Sequence, residues 1–89
     1  MQDNKKELEK LEQEFINSFI NLRKRYDLTQ QEMAINTGII RETIARIETG
    51  KTSPQIRTLI KLLEPLGYTV KIVPKEQKCA ITPKKYENN

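Results

Sequence analysis

The residues best suited to chemistry in this sequence lie in one short run, RETIARIE, which spans Arg41 to Glu48. Its two isoleucines, Ile44 and Ile47, are three residues apart, a spacing that predicts one buried face of a helix. The other candidate side chains are not needed for the core: Arg41, Glu42, Thr43, Ala45 and Arg46. Arginine can donate two hydrogen bonds to guanine, glutamate can accept one from cytosine, and a threonine methyl can contact a thymine methyl. The run therefore predicts chemistry for reading the edges of DNA bases.

The run forms the second of two short predicted helices. The first opens at the TQQE sequence, where Thr29 caps the helix and Glu32 reaches back to it, and it ends by Thr37 because Gly38 stops it. The second runs from about Ile40 to Glu48 and lacks a polar cap. This arrangement predicts a helix-turn-helix, whose second helix lies in the major groove. The predicted phosphate contacts come from the start of the first helix and from the loop after the second: Gln30, Lys51, Thr52 and Ser53.

The segment before this pair predicts a long amphipathic helix, from Asn4 to Tyr26, with Asn4 and Glu7 as a capping box. Its basic end, residues 23–25, suits the helix dipole, with phosphate contact as the alternative. The apolar residues early in this helix are more than are needed to pack against the two short helices. They either extend the core or pack on a partner, and they are Leu8, Leu11 and Phe15.

A fourth helix is predicted to begin with Ser53 as its cap and Pro54 at its first position, and to end at Pro65 and Gly67. After Gly67 the apolar residues recur at every second position instead of every third or fourth. Residues 68–73, YTVKIV, predict a β-strand that pairs with the same strand of a second copy, and the alternative is an extended segment lying on its own helices. The dimerisation residues on one face of this strand are Tyr68, Val70 and Ile72. Residues 74–89 are predicted to form a mobile tail.

Composition narrows the class of protein. The chain has 89 residues, a net charge of +4, one cysteine (Cys79) and no histidine. These features argue against a disulfide framework and any histidine-based metal site or catalytic triad. No apolar run approaches the ~20 residues of a membrane span, and the N-terminus lacks the apolar region of a signal peptide. We expect a cytoplasmic, non-enzymatic protein with no cofactor, metal, membrane or small-molecule substrate.

The stretch LTQQEMAINTGIIRETIARIETGKTSP resembles the helix-turn-helix of the Cro/C1-type family of phage repressors and xenobiotic-response-element regulators. The resemblance covers roughly residues 19–66. It implies an all-α, lambda-repressor-like bundle of four helices, to which the sequence adds the C-terminal β-strand for dimer pairing. It also implies that the five candidates on the third helix face bases and that Gln30 faces a phosphate. The family commonly has a small polar residue where Ile40 stands. The expected organisation is residues 1–18 as an extension of the first helix, 19–67 as the domain, 68–73 as the strand and 74–89 as the tail.

The ending LGYTVKIVP is similar to that of antitoxins of the HigA and HipB kinds, in which a short strand pairs across a dimer. This second resemblance implies a homodimeric repressor that binds double-stranded operator DNA and also binds a toxin protein. Two alternatives stay open at this point. One is a stand-alone repressor of a phage or mobile element, and the other is a helical protein-binding module that does not bind DNA.

Overall fold

The computed structural model describes residues 2–76 of the chain, with side chains from residue 5 onward. Helix α1 spans Gln2–Arg25, α2 spans Gln30–Thr37, α3 spans Arg41–Glu48 and α4 spans Ile56–Leu63, followed by a short 3-10 helix, Glu64–Leu66. The predicted bundle of four helices is therefore confirmed. Most of the predicted tail lies outside the described residues, as does Cys79.

The predicted strand at residues 68–73 is not formed in the part of the chain that the structure describes. These residues follow the 3-10 helix without regular secondary structure. Ladder hydrogen bonds need a neighbouring strand, and the described part of the chain offers none. Val70 packs against the core, whereas Ile72 is fully exposed. The first half of the segment therefore lies on the helices, as in the alternative interpretation, and the second half leaves them.

Helix α1 begins at Gln2, so the predicted cap at Asn4 is wrong and Asn4 lies within the first turn of the helix. The helix ends where Asp27 adopts a left-handed conformation, with a φ of 58°. Aspartate tolerates this conformation better than most residues. The amide of Leu28 then donates to the carbonyl of Arg23 at 3.2 Å, which closes the last turn and directs the chain into α2.

The core lies where the four helices meet. All four helices and the 3-10 helix contribute to it, and its members are Phe19, Met33, Ile44, Ile47, Leu62, Leu63 and Leu66. Met33 of α2, Ile44 of α3 and Leu62 of α4 have no exposed surface. The stripe on α1 is buried only at Ile16 and Phe19, so the early apolar residues do not extend the core. One face of α3 consequently packs against the core, and the opposite face is exposed to solvent.

The predicted start of α4 is wrong by two residues. Gln55, with a ψ of 157°, precedes the first helical residue and makes no side-chain cap hydrogen bond. Ser53 does not cap the helix because its hydroxyl donates instead to the carboxylate of Glu12 on α1. Pro54 lies before the helix, outside regular secondary structure, and lines a small apolar cavity beside α1. The predicted end is nearly correct, because α4 tightens into the 3-10 helix that contains Pro65 and stops at Gly67, whose φ is 81°.

Candidate nucleic-acid interface

Both ends of α2 are fixed by local interactions that the sequence predicted. The Thr29 hydroxyl accepts from the amide of Glu32 at 3.0 Å, and the Glu32 carboxylate accepts from the amide of Thr29 at 2.9 Å. At the other end of α2, Gly38 has a φ of 78°, a left-handed conformation that glycine adopts without steric cost. Its amide donates to the carbonyl of Ala34. The capping box fixes the start of α2, and Gly38 ends the helix and turns the chain towards α3.

Helix α3 divides into an inner and an outer face. Ile44, Ile47 and Glu48 are buried. Of the five predicted base-contacting residues, Arg41, Glu42 and Arg46 are exposed and Thr43 and Ala45 are half-buried. The helix brings all five onto its outer part, with Arg41 and Glu42 in the first turn. The outer surface thus carries donors, an acceptor and methyl groups, which are the chemical groups that distinguish base pairs in a major groove.

The start of α3 is unusual because its N-cap residue is Ile40, which makes no side-chain cap hydrogen bond. Its side chain is 64% exposed. Ile40 borders a shallow apolar depression between α2 and α3, whose lining also includes Ile35 and Arg41. The expected absence of a polar cap is confirmed, and the first turn of α3 begins instead from backbone hydrogen bonds to the Ile40 carbonyl.

A buried ion pair joins the three elements that surround the turn. Arg23 of α1 donates to the Glu48 carboxylate of α3 through Nε at 2.8 Å and Nη2 at 2.9 Å, and through Nη1 to the Leu28 carbonyl at 2.7 Å. Gln30 of α2 donates to the same carboxylate at 2.9 Å. Bidentate arginine–carboxylate pairs combine strength with fixed geometry. This set of three side chains, Arg23, Gln30 and Glu48, is called the clamp below, and it fixes α1, α2 and α3 relative to one another.

The clamp changes the interpretation of two sequence features. Arg23 lies in the last turn of α1 as predicted, but it is buried and bonded to Glu48 and Leu28, so it is not available to a phosphate. Gln30 was predicted to contact a phosphate, and the structure places one of its amide hydrogens on Glu48. A side-chain amide carries two hydrogens, so the second remains for another acceptor. A signal for the clamp was present in the sequence, because Glu48 follows Ile44 and Ile47 on the inner face of α3.

The other predicted phosphate contacts lie in the loop after α3. Lys51, Thr52 and Ser53 are all exposed. The amide of Lys51 donates to the carbonyl of Arg46 at 2.9 Å, which keeps the first loop residue close to the end of α3. Ser53 is engaged by Glu12 and points to α1. Lys51 and Thr52 are therefore placed beside α3, while Ser53 belongs to a contact within the fold.

The predicted dimerisation residues are separate from this surface. Tyr68 lines a cavity with Phe15, Phe19 and Leu63, on the side of the bundle formed by α1 and α4. Val70 packs on the core and Ile72 is exposed. Among the described residues, no cluster of histidine, cysteine, aspartate and glutamate could hold a metal ion. Similarly, no helix within residues 2–76 is long and apolar enough to cross a membrane.

Two short helices fixed at a glycine turn, with an exposed polar face on the second, define a helix-turn-helix domain. A family model described as "Helix-turn-helix" matches residues 20–73. The chain belongs to this helix-turn-helix family, and the resemblance to the Cro/C1 type is confirmed.

Two relatives are named as uncharacterized HTH-type transcriptional regulators. One, from Haemophilus influenzae, is 43% identical over 65 residues, which cover 73% of this chain and 66% of the relative. The other, from Archaeoglobus fulgidus, is 42% identical over 40 residues, which cover 45% of this chain and 57% of the relative. The matched stretches thus span about two thirds or less of each relative's length.

Proposed function

We propose that this protein is a sequence-specific DNA-binding repressor that reads its operator with α3. The observation that carries the proposal is the division of α3, where Ile44 and Ile47 are buried while Arg41, Glu42 and Arg46 are exposed. A helix held from behind by the core and presenting two arginines has the shape and charge to enter a major groove. Membership of the helix-turn-helix family and the naming of both relatives as transcriptional regulators support it.

Each outward side chain has a distinct role in the proposal. Arg41 and Arg46 donate to guanine O6 and N7, and Glu42 accepts from cytosine N4. The half-buried Thr43 and Ala45 offer methyl groups to thymine. Sequence discrimination comes from these base contacts, whereas phosphate contacts position the protein without reading sequence.

The proposed phosphate contacts lie on both sides of α3. Gln30 begins α2, where free backbone amides attract an anion. Its hydrogen bond to Glu48 holds the side-chain amide in one orientation, leaving one N–H for a phosphate oxygen. Lys51 and Thr52 supply the second group of contacts from the loop that follows α3. Ser53 joins this group only when its single hydroxyl hydrogen is released from Glu12 and donated to a phosphate oxygen.

The experiment that tests DNA reading compares two arginines in different places. Operator DNA is selected from a random library, and binding is measured for Arg41→Ala and for Arg57→Ala, an exposed arginine on α4. We expect Arg41→Ala to weaken operator binding by about 1–3 kcal/mol and to relax the preference at one base pair. Arg57→Ala should keep that preference. Equal losses on operator and random DNA would make Arg41 a phosphate contact.

Salt dependence tests whether DNA binding is a function of the protein at all. Neutralising several phosphates makes the logarithm of the affinity fall steeply with the logarithm of the salt concentration. We expect this steep slope for the wild-type protein on its selected operator. A selection that enriches no sequence, together with a flat salt dependence, would contradict the proposal and favour a protein-binding module.

We further propose that the protein acts as a homodimer paired through residues 68–73. The support is the exposure of the second half of this segment, where Ile72 and Val73 leave the helices with their apolar side chains in solvent. Two copies of the segment, antiparallel about a two-fold axis, would satisfy each other's backbone groups. Such a dimer would place two copies of α3 on half-sites about one helical turn apart, ~34–36 Å.

Proline substitution tests the pairing. Alternate amides of an antiparallel strand point to the partner, so Lys71→Pro and Ile72→Pro are made separately. At least one is expected to sediment as a monomer, while Ile72→Thr, which keeps the amide and the branched side chain, remains dimeric. A dimer that both prolines leave intact would place the interface elsewhere.

Finally, we propose that the repressor is the antitoxin of a toxin–antitoxin pair. The similarity of LGYTVKIVP to the ending of HigA- and HipB-type antitoxins supports this role. Purification of the tagged protein from its native cells, with sequencing of bound DNA and mass spectrometry, tests it. A small co-purifying toxin and DNA from the protein's own promoter are expected. Promoter DNA without a protein partner would instead indicate a stand-alone repressor.

A further inference from the structure

The N-terminal half of α1 has an apolar stripe that the domain does not cover. Leu8 is 65% exposed, Leu11 is 42% exposed and Phe15 is 40% exposed. Their spacing of three and four residues places them on one face of the helix. Every side chain from residue 5 to residue 15 is exposed, and burial begins only at Ile16. The stripe is called the α1 ridge below and consists of Leu8, Leu11 and Phe15.

The α1 ridge borders two cavities on the body of the domain. Phe15 lines a cavity of about 340 Å³ whose other walls include apolar Leu22 and Leu63 and also Arg25. It also lines a second cavity of about 200 Å³, whose other walls include Leu59 and Leu62 of α4. Phe15 therefore stands between the two cavities, and the half-buried Leu59 of α4 extends the apolar surface beside it. Contiguous exposed apolar surface of this kind marks an interaction site more often than isolated exposed residues do.

The protruding part of α1 has little to stabilise it on its own. Residues 2–11 form almost three turns of helix, about 15 Å at 1.5 Å per residue. Isolated helices of that length are marginal in water, and most helical stability in proteins comes from packing of an amphipathic face. A bound partner that covers Leu8 and Leu11 would supply that packing.

The charges beside the ridge indicate what the partner is like. At 3.6 residues per turn, Glu7 and Glu14 lie along one edge of the ridge, and Glu12 lies along the other edge near Lys5. Lys6 and Lys10 lie on the opposite face of the helix. The apolar stripe is therefore bordered by three carboxylates and one lysine, which complements a partner with basic residues beside its apolar contacts.

The same charges disfavour a second copy of α1 as the occupant. Antiparallel packing of two such helices about a two-fold axis would bring Glu7 of one copy towards Glu14 of the other on the same edge. Like charges facing each other across an interface are unfavourable. DNA is also unsuited, because it would meet carboxylates at a surface whose central residues are apolar.

We propose that the α1 ridge is the docking site for a basic protein partner, which inserts apolar side chains between the carboxylates of Glu7, Glu12 and Glu14. The inference rests on the proposed antitoxin function for the existence of a protein partner, and it adds the surface and the chemistry of that partner. The ridge is formed by α1, whereas the proposed base contacts are on α3. Partner binding and DNA reading consequently use different residues.

Site-specific crosslinking in the native cells identifies the occupant. The photoreactive residue p-benzoylphenylalanine replaces Leu11 in one variant and Lys6, on the opposite face, in the control. We expect Leu11 alone to crosslink to a protein other than this chain, at an apolar segment flanked by lysine or arginine. A crosslink to a second copy, equal crosslinking from Lys6, or no protein crosslink from Leu11 would overturn the proposal.

The partner identified by crosslinking is then purified, and its affinity for variants of the α1 ridge tests the apolar and charged contacts. Leu11→Asp, and the pair Glu7→Lys with Glu14→Lys, should each weaken its binding at least about tenfold, because they remove an apolar contact or place like charges together. The matched pair Lys6→Glu with Lys10→Glu should not. Unchanged affinity in the first two variants would overturn the proposal.

Operator binding by the same variants separates this inference from the proposed function. Leu11 is well exposed, so Leu11→Asp should fold and bind operator like the wild type. Loss of partner binding with retained operator binding supports the ridge. If the photoreactive variant at Leu11 crosslinks a partner but the wild-type protein binds no operator, the repressor proposal is contradicted and the docking proposal for the α1 ridge is not.

Discussion

The α2–α3 unit and the N-terminal half of α1 are both helical, but different forces hold them. In the α2–α3 unit, buried Met33 and Ile44, the capping box and the clamp tie short helices to the domain. From residue 5 to residue 15, α1 has no buried side chain. We therefore expect the α2–α3 unit to have its final structure before it binds DNA. The N-terminal half of α1, in contrast, gains stability when a partner binds.

The largest expected effect comes from breaking the clamp. Glu48→Ala leaves Arg23 buried without its carboxylate, and removing one partner of a buried ion pair costs about 3–5 kcal/mol. That loss is a large part of the stability of a small domain. Chemical denaturation should show it as a lower midpoint with an unchanged slope.

The double variant Arg23→Met with Glu48→Leu is the control for this prediction. It removes both charges together, and well-packed apolar replacements of a buried pair are often close to neutral in stability. We expect it to be clearly more stable than Glu48→Ala. If Glu48→Ala alone changed stability by less than 1 kcal/mol, the clamp would not be what holds the α2–α3 unit.

The second prediction compares one apolar side chain in each region. Met33 has no exposed surface, so Met33→Ala opens a cavity and should cost about 2–5 kcal/mol. Leu8 is mostly exposed, and Leu8→Ala should change the free energy of unfolding by about 0.5 kcal/mol or less. Denaturation of the two variants side by side measures the contrast. A large loss for Leu8→Ala would mean that the α1 ridge is already covered in the free protein.

The features that the sequence predicted correctly are those determined by near neighbours. Thr29 and Glu32 are three residues apart, and the box between them formed as expected. Gly38 ended α2 for a reason confined to its own backbone. The separation of Ile44 and Ile47 from the outward side chains of α3 also followed from helical period alone. Local chemistry was therefore enough to predict that the four helices exist and which face of α3 is exposed, but not where α1 and α4 begin.

The features that the sequence did not predict depend on residues far apart in the chain. Arg23 and Glu48 are separated by 25 positions, and charged residues are exposed unless a partner is known. Serine is a favoured N-cap residue, but the Ser53 hydroxyl donates instead to Glu12, which is 41 positions away in the chain. The exposure of the α1 ridge was likewise undecided, because an apolar stripe looks the same whether it faces a core or a partner.

The third prediction concerns the capping of α2. Thr29→Ala removes one half of the box, since the Glu32 amide loses its hydroxyl acceptor, while the backbone amide of residue 29 can still donate to the Glu32 carboxylate. Loss of such a cap typically costs about 1 kcal/mol. Thr29→Asp, which keeps an acceptor at the cap, should restore most of the stability. Equal losses for both variants would show that the cap contributes through something other than its acceptor oxygen.

The smallest predicted effect has the opposite sign and arises where α3 begins. Ile40 occupies the N-cap with an extended backbone, a φ of −66° and a ψ of 148°, but offers no acceptor to the helix amides. Ile40→Ser keeps that conformation and adds an acceptor, so it should raise the free energy of unfolding by about 0.5–1 kcal/mol. Ile40→Ala lacks the acceptor and should bring no such gain. Because Ile40 is exposed beside Arg41, a stabilising Ile40→Ser variant that binds operator less tightly would show that isoleucine is retained there for contact with DNA. Unchanged operator binding would show that α3 is already held firmly enough by the core and the clamp to dispense with a cap.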